Sequence, residues 1–494
     1  MVYRLAKGSA LGSPAHVEGE ILRNGFDPLG DRPQIGVATH RATPYAGVAT
    51  HQQTERPMRT QPVTRLSPTS IANRLRRVFG EDAVDAAART TGFMLRKRDI
   101  TPLALMVACL SSLAMGSTRW LADIQRSLNA TLGTAVQYKP FHNQLSKEAF
   151  PEFVRQLFER ALGQLVLPVL ESIPTHNLAR FEDIVIQDGS SMALKDCLAD
   201  VWPGRFNKVS PAAVELHVAM SVSQDNAVSV ILAADKEAER QFSPTPQELR
   251  NRLFLADRGY ESRDMMRSID ANAGAFIIRG KRNIRPTIVR AKDAHGRRIR
   301  RLEGKPLSWD ILPDGDVDLD IEWGPGAAPY GGRVVVFVRR DSRNRRSFTY
   351  LHTNLSREDF TAWQVGQLYR LRWQIELLFK EWKSYGNLHR FDTSKAPIAE
   401  GMIWASLLGA TLQRFVAHAA ERVLGIDLST QRVAASARHC LLGIVQALLE
   451  PRLSLLRSQK EAFAFMRDNT RRAHPKRDRA KGRLSSGLRL VAVS

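Results

Sequence analysis

YRLRWQIELLFKEWK, residues 369–383, sets reactive side chains along one stripe of a helix. At about 100° per residue, Tyr369, Arg372, Glu376 and Lys383 project within roughly 60° of one another. Leu371, Ile375, Leu377, Leu378 and Phe379 fill the remaining faces. This pattern predicts a single helix, buried on most sides, that aims one carboxylate into a site. A buried Glu needs a partner or a metal.

Upstream, the apolar period is that of strands. FEDIVIQDGS reads as a buried strand that delivers Asp188 at its end, and AAVELHVAMSV and NAVSVILAAD read as two more. PTPQELRNRL predicts a helix, LFLADRGY a short strand delivering Asp257, ESRDMMRSIDANA a second helix, and GAFIIRGK a closing strand. Strands followed by alternating helices and strands describe an α/β layer, with Asp188 and Asp257 on adjacent strands. From 282 to 350, short β-like runs broken by Asp-Gly, Gly-Pro and Gly-Gly turns predict a β-rich insertion. Two cationic clusters there, Arg297, Arg298, Arg300 and Arg301, then Arg339, Arg340, Arg343, Arg345 and Arg346, suit either a phosphate backbone or solvated loops. The acidic run from Asp314 to Glu322 lacks the spacing of a calcium loop and fits an exposed strand face.

The flanks divide by pattern. Residues 1–62 lack sustained periodicity and predict a flexible arm, while 63–176 have helical spacing throughout. Ser117 and Thr118, after Gly116, suit a helix cap beyond a turn, which fits a helix-turn-helix reader or an ordinary bundle. Beyond Lys383 the helical period returns and predicts an outer layer on the core, with C-terminal helices over 411–470. Residues 471–494 read as a disordered basic tail, with seven Arg or Lys against one Asp between Arg471 and Arg483. No segment reaches the roughly 18 to 20 apolar residues of a membrane span. Cys109, Cys197 and Cys440 are too scattered for a disulfide framework or a zinc cluster, which fits a reducing cytoplasm.

Lys plus Arg number 72 against 50 Asp plus Glu, a formal net charge of +22, the electrostatic footprint of a nucleic-acid-binding chain. Against that substrate, Asp188, Asp257 and Glu376 suggest a hard-cation site, because oxygen donors suit Mg2+ or Mn2+. Two such ions support in-line phosphoryl transfer. Arg372 and Lys383 suit a phosphate grip, with Tyr369 beside them.

The Y-x2-R-x3-E-x6-K spacing of Tyr369, Arg372, Glu376 and Lys383 resembles the signature of bacterial insertion-sequence transposases of the insertion-sequence-four group. QDGS at Asp188 and ADRGY at Asp257 resemble the segments carrying the first two acids of that family's DDE triad, and the likeness runs from about 180 to 410. It implies an RNase H-like core in two parts, 177–281 and 351–410, separated by the β-rich insertion, with 63–176 binding the element ends. It further implies metal-dependent cleavage of double-stranded DNA at terminal inverted repeats, a hairpin on the element end, strand transfer into target DNA, and a homodimer in the synaptic complex. Such an enzyme works in the bacterial cytoplasm on the nucleoid. The hairpin step implies a flipped base, for which Arg258, Tyr260 and Trp373 are the candidate clamping residues. One segment departs from the pattern: VELHV carries Glu215 where relatives often have Lys, leaving Glu215 and His217 without a role. Two alternatives stand beside this reading, an inactive DNA-binding derivative and a general RNase H-like nuclease.

Overall fold

The computed structural model describes residues 66–96, 99–116, 121–168, 177–206, 208–324, 330–386, 388 and 392–472. The expected arm, the cap at Ser117 and Thr118, and the tail beyond Arg472 lie outside the described residues. Six helices come first: α1 (Pro68–Phe79), α2 (Glu81–Thr90), α3 (Pro102–Ala114), α4 (Leu121–Leu132), α5 (Tyr138–Leu145) and α6 (Ala149–Gln164). Ser67 and Thr101 cap α1 and α3, each followed by a proline in the first turn, where the missing N–H costs nothing.

The strands follow: β1 (Asp183–Ala193), β2 (Pro203–Phe206), β3 (Ser210–Ser221), β4 (Asn226–Ala234) and β5 (Arg252–Ala256). After α7 (Arg263–Ala271) come β6 (Ala275–Arg279), β7 (Thr287–Asp293), β8 (Val317–Trp323), β9 (Tyr330–Arg340) and β10 (Arg346–Thr353). The chain returns to helices with α8 (Ala362–Tyr369), α9 (Trp373–Ser384) and α10 (Ala396–Leu424). Four shorter or outer helices follow, α11 (Thr430–Ala435), α12 (Ala437–Cys440), α13 (Leu442–Gln446) and α14 (Arg452–Asn469).

β4, β3 and β1 form an antiparallel meander, and β5 and then β6 add in parallel beside β1. That order, with three antiparallel strands followed by two parallel ones, is an RNase H-like sheet. β10 pairs with β6, and β9, β8 and β7 continue outward, so the insertion extends the same sheet. The insertion keeps its own core, built on Ile288, Leu302, Leu319, Val334 and Val336.

Several sequence expectations need correction. Asp188 lies mid-strand, because pairing with β3 carries β1 on to Ala193. PTPQELRNRL forms turns ahead of β5: Pro244 and Pro246 remove two N–H donors, and Asn251 takes a left-handed φ of 56°. Residues 369–383 are not one uniform helix, since Arg370–Arg372 tighten into a 3-10 turn between α8 and α9, packed across β1 and β5. The acidic run is not simply an exposed face. Asp318 is buried and takes two hydrogen bonds, of 2.9 and 2.8 Å, from buried Arg333. Most of the cationic clusters are engaged locally, with Arg297 on Asp293, Arg298 on Glu303, Arg339 on Asp316, Arg340 on Asp314 and Arg345 on Asp341.

The outer layer expected after Lys383 is instead central. α10 is apolar around its circumference and buried from Ile398 to Ala420, packed on α3, α6 and α14. The N-terminal helices, the C-terminal helices and one face of the sheet therefore share one core. Gly401 permits the closest approach in this bundle, because a Cβ there would sit 2.3 Å from the Phe150 ring. Buried Arg414 donates to both Glu381 oxygens at 3.2 and 3.1 Å, and to the Asp225 carbonyl, tying α10 to α9 and to the β3–β4 turn. Beside it, His418 lies 3.0 Å from Glu421 and 3.6 Å from Asp225.

Two outcomes follow from this packing. Gly401→Ala gains about 1 kcal/mol of helix propensity but loses about 1–3 kcal/mol to overpacking, so chemical denaturation should show a less stable protein. Burial works against the charged form of His418, and Glu421 and Asp225 more than offset it, so its pKa is raised above the ordinary imidazole value. A raised folded-state pKa gives stability that is complete below about pH 6.5 and is lost as pH rises through the folded value. His418→Asn should therefore lower the melting temperature most near pH 6 and progressively less toward pH 8, as followed by thermal melts.

Candidate active site

Parallel pairing of β1 with β5 sets Gln187 opposite Ala256, which brings Asp188 and Asp257 side by side. Asp257 leads directly from β5 into a 3-10 turn, Arg258–Tyr260. Glu376 stands in the first turn of α9. Arg372 joins the acids: it donates to Asp188 Oδ2 at 2.7 Å and to Glu376 Oε1. Asp188 Oδ1 accepts the Gly189 N–H at 2.9 Å. On Asp257, Arg279 approaches at 3.5 Å, and the Tyr369 hydroxyl donates to Oδ1 at 3.4 Å. All three candidate acids are partly buried, so they reach both protein and solvent.

Negative charge exceeds positive charge at this point. Burial pushes the Asp188 carboxyl up to about 7; Arg372 and the Gly189 N–H oppose the rise, and Asp257 and Glu376 add to it. Two guanidiniums, Arg372 and Arg279, face three carboxylates, a state that favours a cation or a proton. Among the described residues, no three acid, His or Cys side chains converge closely enough to hold an ion as they stand, since Arg372 lies between Asp188 and Glu376. The donor set, carboxylate oxygen alone, fits a hard divalent cation.

The other expected residues divide. Tyr369 is buried against the acids, and burial raises its pKa. Lys383 sits at the far end of α9, donating to the Ser191 carbonyl at 2.9 Å. Trp373 is half-buried at the start of α9, and Arg258 is exposed. Tyr260 is fully buried in the core under β5, with no ring face for a nucleobase; the aromatic in the motif serves packing.

Sequence reasoning missed the supports behind the acids. Glu215 is buried, receives Arg205 at 3.1 Å, and packs so close to Gly189 that a Cβ there would lie 2.3 Å from its Oε1. Gly259 makes the same room for Glu239. His217, also buried, stacks on Phe242 with ring centroids 4.0 Å apart. The available signal was a Gly directly after the first acid and another two residues beyond the second, which marks close approach to a strand or turn. Gly189→Ala should destabilise the fold by about 1–3 kcal/mol, and Glu215→Ala should recover much of that loss in the double variant. Independent, additive effects in a denaturation cycle would contradict the contact.

Residues 179–412 match the family described as transposase DDE domain. The transposase for insertion sequence element IS231E of Bacillus thuringiensis subsp. finitimus is 21% identical over 429 residues, covering 78% of this chain and 88% of the relative. That for IS1151 of Clostridium perfringens is 20% identical, covering 69% and 80%. The putative transposase InsL for IS186A of Escherichia coli is 27% identical over 220 residues, covering 37% of this chain and 55% of the relative. A cryo-EM piggyBac transposase synaptic complex with hairpin DNA aligns over 81% of this chain and 85% of that one, with TM-score 0.41 and 12% identity. Residues 179–412 carry a transposase DDE domain, and over most of its length the chain is similar to transposases of bacterial insertion sequences.

Proposed function

We propose that this transposase binds the terminal inverted repeats of its own element, cuts them in a divalent-metal-dependent reaction at Asp188, Asp257 and Glu376, and joins the freed ends to target DNA in cut-and-paste transposition. The observation that carries this reading is the meeting of three acids, Asp188 and Glu376 bridged by Arg372 and Asp257 beside Arg279, so that two guanidiniums face three carboxylates. Asp188, Asp257 and Glu376 would hold the ions, Mg2+ by choice with Mn2+ as substitute. Bound there, such ions supply activation of the attacking oxygen and stabilisation of the leaving one.

The chain's own part is positioning. Arg372 has the planar fork that grips two phosphate oxygens, and transfer of that fork from the carboxylates to the scissile phosphate would free Asp188 and Glu376. Tyr369 steadies Asp257 through its hydroxyl. Lys383, anchored on β1, lies about 10 Å along α9 from Glu376, which suits a neighbouring phosphate. For a hairpin intermediate with an extrahelical base, half-buried Trp373 and exposed Arg258 are the clamping candidates, and Tyr260 is withdrawn from that role by its burial. The helices over 63–176 would read the element ends, two copies would pair them in a synaptic homodimer, and the work would take place on nucleoid DNA in the cytoplasm.

The test is cleavage and strand transfer on duplexes carrying the element's own terminal repeats, with Mg2+. Asp188→Asn, Asp257→Asn and Glu376→Gln should each lower cleavage by more than about a hundredfold while end binding persists. Equal cutting of scrambled duplexes would identify a general nuclease. End binding without chemistry in the parent protein would identify an inactive derivative.

A further inference from the structure

The tip of the β2–β3 hairpin carries apolar side chains that the core does not use. Phe206 is 64% exposed and Val209 is 88% exposed, with exposed Lys208 between them and Arg205 just before. Single exposed apolar residues are ordinary. An aromatic and a valine together on a short edge hairpin, with a lysine between them, form a patch with defined chemistry.

The root of this hairpin is tied by hydrogen bonds and ion pairs into the supports of the active site. The Arg205 N–H donates to Asp235 at 3.0 Å, and its guanidinium donates to Glu215 at 3.1 Å and lies 3.7 Å from Glu239. The Ser191 hydroxyl donates to the other oxygen of Asp235. Glu215 and Glu239 are the carboxylates that fill the space at Gly189 and Gly259, so the root braces the strand at Asp188 and the turn after Asp257. Asp188 pairs with Val218 and Phe206 with Ser210. Eight residues of β3 separate the two levels, about 27 Å at 3.4 Å per residue, or roughly eight base pairs of duplex. Lys383 on the Ser191 carbonyl puts the end of α9 along the same path.

We propose that this hairpin is a DNA wedge: Phe206 and Val209 enter the base stack of the duplex running from the three acids, and Lys208 holds a flanking phosphate. The inference rests on the proposed function, in that the acids are where DNA is cut. Apolar wedges that part a base step are a common means of bending duplex DNA, and a braced root is what such a wedge requires. A second copy of the chain is the poorer fit, because pairing the tips would bring like charges together on a chain of net charge +22.

The experiment places 2-aminopurine at successive positions of a terminal-repeat duplex and binds it to the Glu376→Gln protein. Fluorescence should rise at one or two positions about eight base pairs from the cleavage site. Phe206→Ala/Val209→Ala should abolish the rise with affinity changed by less than about threefold, and Lys208→Ala should weaken binding and reduce the salt slope by about one. A rise that survives in the double variant, or no rise while the unsubstituted protein cleaves the same ends, overturns the wedge alone. Sedimentation in which the double substitution dissolves a DNA-free dimer assigns the tip to self-association and also overturns it. Failure of the parent protein to bind or cut element ends overturns instead the reading on which the wedge rests.

Discussion

Three carboxylates drawn to one partly buried point, with Arg372 between two of them and Arg279 beside the third, are the constraint around which the rest of this structure is arranged. Like charges in a low-dielectric setting repel strongly, so Asp188, Asp257 and Glu376 can be neighbours only if rigid elements hold them there. Parallel pairing of β1 and β5 sets the first two, and the 3-10 turn across those strands brings in Arg372 and then Glu376. Burial raises the Asp188 carboxyl, Arg372 opposes the rise, and Asp257 and Glu376 add to it.

The scaffold works to keep these elements from moving apart. The buried Arg414 bonds α10 to α9 and to the β3–β4 turn, so the helix bearing Glu376 is fixed to the meander bearing Asp188's partner strand. On the opposite side, Glu215 and Glu239 press on Gly189 and Gly259 and are joined through Arg205. Breaking the Arg414–Glu381 pair, buried on both sides, leaves a charge uncompensated, which is far more costly than losing a surface pair. The acids are thus braced both by the helical body and by the face behind the sheet.

Much of this was legible in the sequence. IVI before Asp188 and LFLA before Asp257 carry strand character that survives in β1 and β5, and the stripe of Tyr369, Arg372 and Glu376 on the 369–383 segment does face the acids. What stayed hidden depends on tertiary neighbours. Nothing local says that Arg372 spends its charge on two carboxylates, or that Glu215 finds Arg205 ten residues earlier across a hairpin. Tyr260 was misjudged because a motif aromatic looks the same whether it stacks on a base or fills a core. PTPQELRNRL was misread because its good helix formers outweighed two prolines in the reading, whereas in the chain the lost donors won. For α10 the signal was present: a helix apolar all round belongs inside.

We propose that Asp188, Asp257 and Glu376 share one cation site, with Arg372 and Arg279 as the resident counter-charges. Its most direct test is a Mn2+ titration of the DNA-bound protein, followed by electron paramagnetic resonance of the free ion. Binding should be saturable, and it should be lost or greatly weakened in Asp188→Asn and in Glu376→Gln alike. Undiminished Mn2+ binding in both variants would contradict the shared site.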